Sequence, residues 1–165
     1  MKQPLICIYF LFISSLLSVN TFAQIKSYSK TDLSALQELP EKWIKFWNIH
    51  NIDSLSTLLQ KDVDVVTVPG TFLKGRVSFI KDHSARFSTI FRESVLTRDT
   101  VMIKYVKPDL AIIHFGWGIS GDLDRQGNKQ ELRHGIGTWV AVKKTNTWKI
   151  LFSHMMLKLS PPSGK

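Results

Sequence analysis

Over residues 31–48 the apolar positions fall three and four apart. Leu33, Leu36, Trp43, Ile44 and Trp47 recur at helical spacing, with charged and polar residues between them. Thr31-Asp32 can cap the start. Pro40 marks a helix start or a kink, because its ring clashes with the preceding turn. Asn51-Ile52-Asp53 breaks the pattern, with Asp53 as the expected N-cap of a short second helix carrying Leu55, Leu58 and Leu59. Residues 63–68 are valine-rich and read as a strand, Pro69-Gly70 as a turn, and 71–73 as a short strand ended by Gly75. A third helix is expected over 77–92, with Phe79, Ile80, His83, Phe87, Ile90 and Phe91 along one stripe. The period then changes to two. Residues 100–106, 111–120, 132–142 and 147–157 read as strands, separated by turn signals at Pro108-Asp109, 121–127 and 144–146.

The order is thus two helices, a strand pair, a helix and a four-strand antiparallel meander. Strands segregated from helices indicate an α+β fold. Gly116, Gly118, Gly135 and Gly137 lie inside strands, where they permit bends or bulges. A strongly curved, mainly antiparallel sheet packed on three helices forms a cone with a cavity at its open end.

The first 23 residues do not fit this grammar. Lys2 precedes an apolar run over 5–19, and small residues stand at Thr21 and Ala23 before Gln24. That is the form of a secretory signal peptide cleaved after Ala23. Residues 24–30 are then a short lead, 31–158 the cone domain and 159–165 a loose tail. Export to the periplasm or medium is expected, with no stable membrane insertion after cleavage. Cys7, the one cysteine, leaves with the leader, so thiol chemistry, a disulfide framework and a cysteine-built zinc site are excluded from the mature chain. Of the 165 residues 44% are hydrophobic, enough for a sizeable core. The formal charge of +9 is spread along the chain without an arginine-rich or aromatic-interleaved basic block, so it describes a solvated surface and not a nucleic-acid site. No serine-elbow, phosphate-loop, dinucleotide or H-E-x-x-H motif is present, and 121–127 reads as a polar hairpin loop, not a calcium loop.

Five histidines remain as chemistry-bearing residues. His83 belongs to the stripe of the third helix, His114 shares strand parity with Leu110 and Ile112, and His154 with Trp148, Ile150 and Phe152. In the cone all three are expected to turn inward. They can be core imidazoles satisfied by backbone, or polar contacts of a pocket, one of them a general base. A three-histidine metal site has no local spacing behind it, and no metal or cofactor is expected. Asp64, on the parity of Val66 and Val68, is a further candidate acid or base. Trp47 and Trp117 are candidate pocket wall as well as core. His50 and His134 read as structural or rim residues.

Several spacings resemble nuclear transport factor 2-like proteins. They are Trp43-x-x-x-Trp47-Asn48-x-His50-Asn51-x-Asp53, then Asp62-x-Asp64-x-Val66 with Gly70, and Gly75-Arg76 leading to His83 and Phe87. The closing strands add His114-x-x-Trp117, Gly135-Ile136-x-Thr138, and Trp148-x-Ile150 leading to His154. Within that superfamily the chain looks most like the SnoaL-like group, of the SgcJ/EcaC type. Two departures stand out: Met155-Met156 follows the last histidine where that type often has Asn-Thr, and the Tyr and Asp pair of ketosteroid isomerases has no counterpart. The resemblance implies a pocket for a small, partly apolar molecule, with Thr138 among its contacts. It also implies either cofactor-free isomerase, dehydratase or hydrolase chemistry, or a non-catalytic binding or dimerisation module, and in both cases a homodimer through the outer face of the sheet.

Overall fold

The computed structural model describes residues 29–158. The expected signal peptide, most of the lead and the tail lie outside the described residues. The elements follow the expected order: α1 (Lys30–Asn48), α2 (Ile52–Thr57), β1 (Leu59–Val66), β2 (Phe72–Lys74), α3 (Gly75–Phe87), β3 (Val95–Lys107), β4 (Leu110–Ser120), β5 (Arg133–Lys144) and β6 (Thr147–Leu157). The six strands form one sheet in the order β2-β1-β6-β5-β4-β3, antiparallel except where β1 runs parallel to β6. Among the described residues, no helix is long and apolar enough to cross a membrane.

The boundaries differ from the pattern for local reasons. α1 runs straight through the buried Pro40, and its start is set earlier by Ser29, whose side chain accepts from the Asp32 N–H. Asn51, not Asp53, caps α2, accepting from the Ser54 N–H at 2.9 Å. α3 ends at Phe87. Residues 88–93 are turns, so Ile90 and Phe91 leave the helix stripe and hang over the open end of the sheet.

The core lies between the helices and one face of the sheet. α1 contributes Leu36, Leu39, Trp43 and Trp47, α3 contributes Phe79, and the sheet contributes the odd positions of β4 and β5, including Ile113, Phe115, Trp117 and Trp139. Trp43 is the hub, 5.2 Å from the Trp139 ring and 5.7 Å from Phe79. Buried polar ends are matched: Trp47 Nε1 donates to Ser94 Oγ and Trp139 Nε1 to Ser153 Oγ, each at 3.0 Å. Asn48 brackets Leu96, donating to its carbonyl and accepting from its N–H, which pins the end of α1 to the start of β3. Asp32 at the other end of α1 accepts from Trp148 Nε1 and Lys143 Nζ, and these partners hold its carboxyl below the ordinary range.

The glycines on β5 have a steric role. A Cβ at Gly135 would collide with the Trp117 ring and the Met156 carbonyl, and one at Gly137 with the Phe115 ring. Aromatic rings of β4 therefore lie flat across β5, and the floor of the cone stays thin.

Candidate functional site

Between α1, α3, the end of the sheet, the 67–71 turn and the loop joining β4 to β5 lies an open cavity of about 590 Å³, a size suited to a small organic molecule. Trp47, Phe79, Phe91, Trp117 and Met155 give it an apolar wall, and His83 stands among them. The loop between β4 and β5 brings Asp122, Asp124 and Arg125 to the mouth. Asp124 staples this loop internally, accepting from the N–H groups of Gln126 and Asn128 at 2.8 Å each.

His83 is buried because α3 turns the Phe79/His83/Phe87 stripe toward α1. Its imidazole stacks on Phe79 at 4.0 Å and meets Trp47 edge-on at 6.0 Å. Nδ1 lies 3.3 Å from the Phe79 carbonyl and 3.2 Å from Asp82 Oδ2. Both are acceptors, so Nδ1 carries the proton and donates, and Nε2 keeps its lone pair. Burial pushes the imidazole down from 6.5 to about 4; Arg86 adds to this, and Asp82 and the Phe79 carbonyl oppose it. At neutral pH the contact with Asp82 is therefore a hydrogen bond from a neutral ring, not an ion pair. Asp82 is itself held by Arg86 Nε at 2.7 Å. Asp82 thus orients the ring from one side, and Arg86, above Phe91 at 6.0 Å, closes the cavity beside it.

Of the residues anticipated from sequence, His83, Trp47 and Trp117 line this cavity. His114, Thr138, His154 and Asp64 do not; they lie on the opposite face of the sheet. The inner face of β4 is the odd set, and His114 is even. On β6 the inner set is Trp148 and Ile150, then Ser153. Leu151 is an extra residue: Ala141 pairs with Ile150 and Val140 with Phe152. That bulge reverses the parity, so His154 turns outward although it is spaced evenly from Trp148. Asp64 is exposed between the buried Val63 and Val65. The displaced residues are neighbours in their own right. Register places His114, Thr138 and His154 in one row across β4, β5 and β6, with His114 Nδ1 2.9 Å from Thr138 Oγ1. Among the described residues no three His, Cys, Asp or Glu side chains group to hold a metal ion.

Two participants were missed in the sequence. Asp82 was legible in principle, since Asp82 and Arg86 stand four apart on a helix. Asp122 was not. It looks like one more polar loop residue, yet it is 1% exposed. Burial holds its carboxyl above the ordinary value against the opposing Arg133 guanidinium, which pairs with Oδ2.

Comparison with solved structures settles the architecture. An uncharacterised protein from Caulobacter vibrioides with a cystatin-like fold superposes with a TM-score of 0.72 at 20% identity, over 77% of this chain and 89% of that one. The chain has the cystatin-like fold. This is the architecture of the nuclear transport factor 2-like superfamily. Two further cystatin-like neighbours bear enzyme names. A candidate scytalone dehydratase from Novosphingobium aromaticivorans has a TM-score of 0.68 at 16% identity, over 78% of this chain and 85% of its own. The hexachlorocyclohexane dehydrochlorinase LinA-type3 from Novosphingobium barchaimii has 0.70 at 12%, over 82% and 92%. No family model matches the sequence, and no curated protein matches it.

Proposed function

We propose that the cystatin-like cone is a small-molecule site in which His83 removes a proton from carbon, in an elimination or isomerisation that needs no cofactor. The observation that carries this is the state of His83: a neutral imidazole in an apolar cavity, its Nδ1–H held by Asp82 and the Phe79 carbonyl, and its Nε2 unshared. A base so placed faces little competing water, and its orientation is set before substrate arrives. Two structural neighbours named as a dehydratase and a dehydrochlorinase use the same fold and support the reading at that level.

The test uses 5-nitrobenzisoxazole, whose ring opens when a base takes one activated C–H proton. The wild type opens it with a rate that falls as pH drops through about 4. His83→Gln loses roughly a hundredfold of that rate, and His114→Gln and His154→Gln lose none. Equal rates in all four proteins would remove His83 from the chemistry.

A second reading concerns the outer face, where Lys104, Ile112, Val140, Phe152 and Asp64 form one row across the sheet. An apolar centre with opposite charges at its ends is self-complementary under a two-fold axis along the strands: Lys104 of one copy meets Asp64 of the other. This supports a homodimer through that face. Val140→Lys should then convert a dimer to monomer in sedimentation; a wild type that is monomeric at 100 micromolar contradicts it.

A further inference from the structure

The wall of the cavity formed by β4 and the β4–β5 connection contains three buried polar atoms without a hydrogen-bond partner: Asp122 Oδ1, Trp117 Nε1 and Arg133 Nε. They belong together. Trp117 pairs with Gly135 and Ile119 with Arg133, so Trp117 and Arg133 are diagonal neighbours on adjacent strands. The Arg133 guanidinium in turn holds the other oxygen of Asp122. Asp122 and Trp117 are 1% and 4% exposed.

Buried donors and acceptors are rarely left unpaired, because desolvation without a partner costs stability. Three in one wall of a cavity mark where a ligand's polar group completes the bonding. The demand has a definite composition, two N–H donors and one carboxylate acceptor. A hydroxyl, with one proton and two lone pairs, meets it in full. A carbonyl or ether oxygen answers the two donors and leaves Asp122 unmet. An ammonium group answers Asp122 and opposes the donors, and a carboxylate is repelled by Asp122.

We propose that Asp122, Trp117 and Arg133 form a hydroxyl-recognition subsite, and that the ligand of this cavity is a small apolar alcohol or phenol. Its O–H is anchored on that wall, and its hydrocarbon body lies against Trp47, Phe79 and Phe91. The proposal rests on the pocket reading above and adds the ligand class. It also assigns Asp122, at the hairpin loop, as the residue that sets specificity.

Two probes of one shape test it by calorimetry: 2-naphthol, and 2-methoxynaphthalene, which keeps the oxygen acceptor and lacks the proton. The wild type should bind 2-naphthol at least tenfold tighter. Asp122→Asn should bring the ratio to one or below, because Arg133 draws the amide oxygen and leaves an N–H facing the ligand. Trp117→Phe keeps the ring and removes one unpaired N–H. It should weaken both probes severalfold, preserve their ratio, and leave the melting temperature unchanged or raised, so the proposal does not depend on Asp122→Asn folding well. Equal binding of both probes by the wild type, as when a water molecule answers these atoms, overturns the hydroxyl subsite and leaves the pocket standing. Binding of neither probe overturns both.

Discussion

The two faces of the single sheet present the same residue types with different physics. On the inner face, aromatic rings of β4 lie across the glycines of β5, and the histidine packed above them from α3 is stripped of water and neutral. On the outer face, His114 and His154 flank Thr138 in a row open to solvent, with polar groups and half-buried aliphatics around them. An imidazole acquires chemical character from the face on which it stands: desolvation and a held Nδ1–H leave His83 with a directed lone pair, which the outer histidines lack.

The largest effect that separates the faces is steric. Gly137→Ala puts a methyl group into the Phe115 ring on the inner face, and should cost about 1–3 kcal/mol or more in denaturant unfolding. Gly116→Ala, on the outer face, meets only the Asp99 side chain at 2.7 Å, which can turn away, and should cost well under half as much. Equal costs would mean that the inner face is no more tightly packed than the outer.

A smaller effect is electrostatic. An unfolded histidine takes up its proton near 6.5, and folded His83 does so only at about 4. Between those values the unfolded state binds more protons, so stability is full above 6.5 and is lost as pH falls toward about 4. Asp122 has the opposite slope, since its raised carboxyl keeps a proton that the unfolded chain has released. In His83→Gln the loss of stability between 6.5 and 4 should flatten. The smallest effects belong to His114→Gln and His154→Gln, which should keep the wild-type slope and shift stability by no more than about 0.5 kcal/mol. A slope carried by either outer histidine would dissolve the distinction.

The comparison also shows what a sequence can reveal. Element order was legible because the period changes from 3.6 to two near residue 95, and the glycines inside β4 and β5 announced a curved sheet. His83 was legible because helical spacing ties it to Phe79 and Phe87. The facing of His114 was not, since Leu110 and Ile112 are as apolar as the truly inner Ala111 and Ile113. A sheet with one face on the core and aliphatics on the other gives alternation no contrast to read. His154 was hidden by a single extra residue, Leu151, which no local pattern marks. Asp122 was hidden because its burial depends on contacts distant in the chain: Leu123 N–H donating to the Ile90 carbonyl, and Gly121 packed on the Glu93 carbonyl.

The most direct test of the account is the protonation state of His83 itself. Nitrogen-resolved NMR of the imidazole side chains reports both tautomer and titration. The account predicts that the His83 ring is neutral at pH 7 with its proton on Nδ1, and that it takes a second proton only at about pH 4. A His83 ring that carries its proton on Nε2, or that titrates near 6.5, would contradict it.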